Sequence, residues 1–286
     1  MLRNTRIFIL YFIALSVVAL VGCREFSLED IQRKHNQTIL SGFPGFAFDD
    51  SYTSIPFSES GHKLVFREQV EENQLILEAI DRAFSMYSDD AFKGISESVY
   101  VYDEIWVGDY QAGGFYGPGY ITFAAPADMS GSKRNLLIME NAIHHELSSH
   151  VLMRHPLIGL YWFKLMPATW NEVETSEDAL SFNSPYTLDD GFVTDYAATS
   201  LENDFNEVAA ITLSEPTRMR RLAAKHPIIA KKLYLLMSVY DEFDPKVKQF
   251  FDEQGLREVA IPVESATISF KAPEGLFDHL KPVISQ

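Results

Sequence analysis

The sequence has a single cysteine, Cys23, among its 286 residues. One thiol excludes a disulfide within the chain and a zinc site made of several thiolates. Internal repeats and low-complexity tracts are also lacking, which favours one compact domain of catalytic size. Hydrophobic residues make up 47% of the chain and aromatic residues 13%, enough to fill one substantial core or two small ones.

Basic residues are scarce, because 24 lysines and arginines stand against 40 aspartates and glutamates, a net charge of −16. Phosphate binding needs a basic surface, so this balance argues against a nucleic-acid partner. The glycine-rich segment QAGGFYGPG at 111–119 is not followed by the Lys-Ser/Thr pair of a phosphate-binding loop. A hairpin-like turn is therefore expected there.

The N-terminus has the pattern of an export signal. Arg3 and Arg6 precede an uninterrupted apolar run at 7–22, which ends in small residues. The phrase LVGC at 20–23 resembles the lipobox of bacterial lipoproteins. The resemblance implies that residues 1–22 are removed and that Cys23 carries a lipid such as palmitate.

The residue after the cysteine is Arg24 and not aspartate, which by resemblance to Gram-negative sorting rules implies the outer membrane, facing the periplasm. Without residues 1–22 the chain keeps 22 basic and 40 acidic residues, a net charge of −18. We expect residues 23–63 to form a lipidated N-terminus and irregular tether, and 64–286 to form the folded domain.

The order of hydrophobic patterns predicts an α+β fold with a small early sheet followed by mostly helices. Ser200 is a candidate N-cap for one of the helices, with acids in the turn that follows it. The predicted helices span 68–88, 135–153, part of 157–173, 201–214 and one or two segments within 215–240, and the predicted strands span 98–108, 120–125 and 261–270.

The segment HHELSSH at 144–150 contains most of a zinc-hydrolase helix motif. Zinc hydrolases use two histidines four residues apart on one helix face, and the glutamate after the first histidine acts as general base. Here His145 and Glu146 fit, but Ser149 stands at the second histidine position and His150 comes one residue late.

Together with the later phrase NDFNE at 203–207, this segment resembles gluzincin metallopeptidases, including lethal-factor-type toxin peptidases and bacterial lipoprotein peptidases. The resemblance covers about residues 65–240. It implies a zincin-like domain and a zinc-dependent peptidase that acts on a peptide or protein. The implied site consists of the zinc ligands His145, His150 and Glu207, the general base Glu146, and Tyr196 as a stabiliser of the oxyanion.

The late histidine leaves three possibilities for the second ligand, because an undistorted helix places His150 roughly 140° from His145. A π-bulge could rotate His150 toward the metal. Glu146 and His150, four residues apart, could be the helical ligand pair, with His145 as a supporting group. Alternatively Ser149 replaces the ligand and metal binds weakly, with help from His144 or water, or not at all.

These possibilities leave three functions open: a peptidase, a catalytically inactive relative that uses the same site to bind a peptide, glycan or partner protein, or a purely structural lipoprotein unrelated to zincins. His150 also fits a core histidine with one hydrogen bond, and His155 fits a helix-end residue. Glu207 lies among apolar residues and needs a partner, for which a metal ion or an arginine would serve.

Overall fold

A mixed β-sheet lies early in the chain and helices follow it, as expected for an α+β fold. The structure is a computed structural model that describes residues 27–41, 63–66, 73–125 and 133–263. The strands are β1 (Thr38–Ser41), β2 (Lys63–Phe66), β3 (Ser96–Val107), β4 (Tyr110–Ala112), β5 (Gly114–Gly117) and β6 (Gly119–Ala124).

The long strand β3 is the centre of this sheet. It pairs in parallel with β1 and with β6, and its C-terminal half pairs antiparallel with β2 and β4. Strand β5 pairs antiparallel with β6 and has no second strand neighbour among the described residues. Within the part of the chain that the structure describes, one side of β5 is therefore an edge of the sheet.

Helices cover one face of the sheet and build most of the core. They are α1 (Leu28–His35), α2 (Gln74–Phe84), α3 (Lys133–Arg154), α4 (Ile158–Phe163), α5 (Ser176–Leu180), α6 (Leu201–Ser214), α7 (Pro216–Ala223), α8 (Pro227–Phe243) and α9 (Pro245–Glu253). Two short 3₁₀ helices, Leu188–Asp190 and Tyr196–Thr199, precede α6. None of the helices in the described part of the chain is long and apolar enough to cross a membrane.

Helix α3 is the central helix and packs against α2, α6 and strands β5 and β6. Its predicted apolar stripe is confirmed, since Met139, Ile143, Leu147 and Val151 are fully buried. The helix is α-helical without interruption from Lys133 to Arg154. The π-bulge considered for this helix is therefore not present.

Helix α6 has the bounds that the sequence predicts. The Ser200 hydroxyl accepts a hydrogen bond from the backbone N–H of Asn203 at 2.9 Å, which satisfies a free donor in the first turn. The segment 215–240 forms two helices, α7 and α8, each with a proline in its first turn.

Ordered structure begins earlier than residue 64. Helix α1 and strand β1 lie inside the segment 23–63, for which an irregular tether was expected, and β1 pairs with β3 in the main sheet. The helix expected at 68–88 is shorter and begins after the N-cap Asn73. Residues 261–263 form no strand, and the rest of the expected late strand lies outside the described residues.

A buried ion pair connects α6 to α8 beneath the 3₁₀ helices. Lys232 and Asp204 are fully buried, and their charged atoms Nζ and Oδ2 are 2.5 Å apart. The Trp162 indole N–H donates to the same Asp204 oxygen at 2.6 Å, and Lys232 donates to the Gly191 carbonyl at 2.8 Å. Burial raises the pKa of Asp204 and lowers that of Lys232. Each group therefore needs the charge of the other to stay ionised inside the fold.

Removing one member of this pair should be costly. We expect Lys232→Met to lower the free energy of unfolding by about 3–5 kcal/mol, because the Asp204 carboxylate would stay buried without its counter-charge. Urea unfolding followed by circular dichroism measures this. The control is Arg220→Met, which breaks the exposed pair with Glu258 and should cost less than about 1 kcal/mol. Equal losses in the two variants would contradict this role of the buried pair.

Candidate functional site

A partly exposed group of polar side chains lies where α3, α6 and β5 meet. We call it the His145 cluster. Helix α3 contributes two of its members, strand β5 one, the second 3₁₀ helix one and α6 two. In chain order they are Tyr116, His145, Glu146, Tyr196, Glu202 and Glu207.

His145 and Glu207 form a hydrogen-bonded pair between α3 and α6. The Nδ1 atom of His145 lies 3.1 Å from Oε1 of Glu207, and the Thr194 hydroxyl donates to Oε2 at 2.9 Å. Burial opposes the charged imidazole, but Glu207 and the neighbouring glutamates outweigh it and raise the pKa of His145. Burial likewise opposes the Glu207 carboxylate, but His145 and Thr194 lower its pKa. Both shifts favour an imidazolium–carboxylate pair.

The pairing through Nδ1 leaves Nε2 as the free ring nitrogen of His145. Among the described residues Nε2 has no hydrogen-bond partner, and 12% of the side chain is exposed. The Tyr196 ring packs beside this imidazole, with ring centroids 5.8 Å apart. His145 is thus held in one orientation with one nitrogen directed away from Glu207.

Glu146 lies on the neighbouring face of α3, under strand β5. It is only 7% exposed, and its carboxyl group has no hydrogen-bond partner among the described residues. A Cβ atom placed on Gly114 would be 2.9 Å from its Oε1, so the β5 backbone passes close to this carboxyl. Burial, with the charges of Glu202 and Glu207, raises the pKa of Glu146 to about 7 against the opposing effect of His145.

Ser149 occupies the place of a second histidine ligand and is already engaged. Its hydroxyl accepts a hydrogen bond from Asn206 of α6 at 2.7 Å. Asn141, four residues before His145, contacts Ser214 of α6. Residues 141, 145 and 149 share one face of α3, and all three contact α6 through polar groups. This face forms a polar seam between the two helices.

His150 contacts the sheet instead of this seam. Its Nε2 is 3.2 Å from the Tyr120 carbonyl, and its ring packs edge-on against Tyr116 at 5.3 Å. Burial lowers its pKa to about 4, so it is neutral at physiological pH. His144 is fully buried, and its Nδ1 is 2.9 Å from the Tyr87 hydroxyl. His155 lies at the end of α3, with Nδ1 2.8 Å from the Val151 carbonyl.

The structure therefore brings together two of the three expected zinc ligands, His145 and Glu207, and leaves His150 apart. Glu207 occupies Nδ1 of His145 and does not stand beside Nε2. Within the described residues no three His, Cys, Asp or Glu side chains are placed to hold a metal ion together. On helix α3, Ser149 bonds Asn206 and His150 contacts the Tyr120 carbonyl, so His145 is the one histidine of the motif that faces Glu207.

Tyr196 and Glu146, the other expected site residues, both belong to the cluster. Burial raises the pKa of Tyr196, and the negative charges of Glu146, Glu207 and Glu202 raise it further. Cys23 and the expected signal segment 1–22 lie outside the described residues.

The sequence analysis missed Tyr116 and Glu202. Oε1 of Glu202 is buried and has no hydrogen-bond partner among the described residues. The Tyr116 hydroxyl lies near Glu202, Glu146 and Ser149; burial and the two glutamates raise its pKa. Glu202 resembles any acid in a first helical turn, and Tyr116 lies in a glycine-rich segment that was interpreted only as a turn. Neither position carries a motif that marks it.

Searches with protein-family models, curated proteins and solved structures found no match to this chain.

The close approach of β5 to Glu146 can be tested with two adjacent glycines. We expect Gly114→Ala to lower the free energy of unfolding by about 1–3 kcal/mol, because the backbone would have to shift. The new methyl group would lie 2.5 Å from the Thr122 carbonyl oxygen and 2.9 Å from Glu146. Chemical denaturation measures the change.

Gly113→Ala is the matched control. Nothing lies within 4 Å of a Cβ at this position, so its stability should stay within about 0.5 kcal/mol of the wild type. Equal stability of the two variants would show that Gly114 of β5 does not pack against Thr122 and Glu146 as described.

Proposed function

We propose that this protein is a zincin-like domain that binds an extended peptide segment along β5 and does not cleave it by zinc-activated water. The observation that carries the proposal is the polar seam of α3. Ser149 stands where a second zinc ligand would be needed, and Asn206 engages its hydroxyl. His150 contacts the Tyr120 carbonyl of the sheet, so the polar seam contains one histidine, His145.

The edge of β5, which pairs with no second strand in the described ranges, supports peptide binding. The backbone N–H of Phe115 points toward Thr122 of β6. Backbone N–H and C=O groups of successive residues in a strand point to opposite sides, so those of Gly114 and Tyr116 point toward the open edge. An unpaired edge accepts an extended chain through backbone hydrogen bonds, while neighbouring side chains select among sequences. In this proposal β5 supplies the backbone contacts and the His145 cluster supplies the side-chain contacts.

A zinc peptidase is the second candidate, and one observation favours it. Zinc-binding histidines usually donate their second ring N–H to a carboxylate, which orients the ring. Glu207 has this relation to His145 and leaves Nε2 free. Glu146, the residue directly after His145, is in the position of a general base. Zinc would still lack two protein ligands at this point.

We further propose that Cys23 anchors the protein to the bacterial cell envelope through a lipid. The support is the sequence LVGC after the apolar run at 7–22. Metabolic labelling with palmitate tests this proposal. Label that is present in the wild type and absent from Cys23→Ser supports the anchor, whereas no label in the wild type contradicts it.

Peptide binding can be measured with fluorescent octapeptides that are acetylated and amidated at their ends. We expect a subset of random-sequence peptides to bind and to remain intact by mass spectrometry after incubation with added zinc. Methylating two alternate backbone nitrogens of a binder should weaken its binding by about 30-fold, because each of the two lost hydrogen bonds contributes about 1 kcal/mol. The control is the same peptide methylated on the other alternate nitrogens, which point away from β5.

Two results would contradict this function. If no peptide binds, β5 is not a docking edge for extended peptides. Cleavage that requires zinc and disappears in Glu146→Gln would establish the peptidase instead, because this substitution removes the general base and keeps the shape of the side chain.

A further inference from the structure

The His145 cluster holds more negative charge than its own cations balance. Glu146, Glu202 and Glu207 are close enough to act together on the Tyr196 hydroxyl. Glu207 is paired with His145. Arg218 also acts on Glu207, but it is ion-paired to Glu215 at 2.7 Å.

Glu146 has the weakest compensation of the three. Among the described residues the one positive group that acts on it is His145, whose Nδ1 already bonds Glu207. The carboxyl group is nine-tenths buried and receives no hydrogen bond from a described residue. A buried carboxylate without donors is costly, so the fold holds this group ready for a donor that comes from outside it.

Glu202 provides a second unpartnered oxygen in the same place. Its Oε1 is buried and has no hydrogen-bond partner among the described residues. It lies near the Tyr116 hydroxyl, and its charge also acts on Glu146. Two carboxyl groups from different helices thus share one partly enclosed space, in which the Tyr116 hydroxyl is the neighbouring donor to Glu202 and no described cation pairs with Glu202.

Two tyrosines border this space. Tyr116 comes from β5 and Tyr196 from the 3₁₀ helix before α6. Aromatic rings attract organic cations, and ammonium and guanidinium groups supply several N–H donors at once. Because Tyr116 lies on the edge strand, a side chain from a peptide paired with β5 could reach the carboxyl groups.

We propose that the His145 cluster binds an organic cation, namely the ammonium group of a lysine or the guanidinium group of an arginine in the bound peptide. Its N–H groups donate to Glu146 and to Oε1 of Glu202, and the rings of Tyr116 and Tyr196 flank it. The inference rests on the proposed peptide binding and names the residue type that the site selects.

The test compares peptides that differ only in whether one side chain carries a cationic group. A fluorescent octapeptide that binds the wild-type chain is made with lysine or with norleucine at each position in turn. At one position we expect lysine to bind about 30-fold more tightly, because truncating one partner of a buried charge pair costs 2 kcal/mol or more. Arginine against citrulline at that position should give the same order.

The matched variants are Glu146→Gln, Glu202→Gln and the control Glu253→Gln, which changes an exposed glutamate on α9. The first two should lose most of the preference for lysine over norleucine. The control should behave as the wild type does. Circular dichroism verifies that each variant is folded. If a variant does not fold, the comparison of lysine and norleucine peptides on the wild-type protein still tests the proposal.

The outcomes separate the two proposals. If peptides bind with equal affinity whether they carry lysine or norleucine at every position, the cation site is wrong and the β5 edge stands. If no peptide binds, the proposed function fails first. Stoichiometric binding of free Zn²⁺ that displaces the lysine peptide, and that Glu202→Gln abolishes, would also overturn the inference, because the site would then belong to a metal ion.

Discussion

The unbroken geometry of α3 is the constraint on which the site depends. An α-helix turns about 100° per residue, so residues four apart share a face and residues five apart do not. His145 and Ser149 therefore face α6, whereas His150 faces the sheet. Because His145 and His150 are five residues apart and not four, they contact different parts of the fold.

The face of α3 toward α6 is used for contact between helices. Asn141, His145 and Ser149 each bond a polar residue of α6, and the buried pair of Asp204 with Lys232 connects the first turn of α6 to α8. Helix α6 is therefore fixed from both sides. These contacts hold Glu202 and Glu207 in place beside α3, where Glu207 is paired with His145 and Oε1 of Glu202 has no partner among the described residues.

Much of the fold follows from local patterns in the sequence. The α+β class, the apolar stripe of α3 and helix α6 behind its Ser200 cap were all predicted, because periodicity and capping are properties of neighbouring residues. The resemblance to gluzincins also selected His145 and Glu207 as a pair. The assignment of both to a metal ion stays a prediction, and in the structure the two side chains lie in hydrogen-bond contact. The environments of Tyr116 and Glu202, and the ion pair of Lys232, arise from contacts between distant segments and leave no local pattern.

The most direct test is the metal content of the wild-type chain, purified without chelator and supplied with one equivalent of Zn²⁺ before gel filtration. A site with one free histidine nitrogen should retain well below one zinc ion per chain by elemental mass spectrometry. A full equivalent of zinc that is lost in His145→Ala would contradict the account, because it would show that the cluster assembles a metal centre.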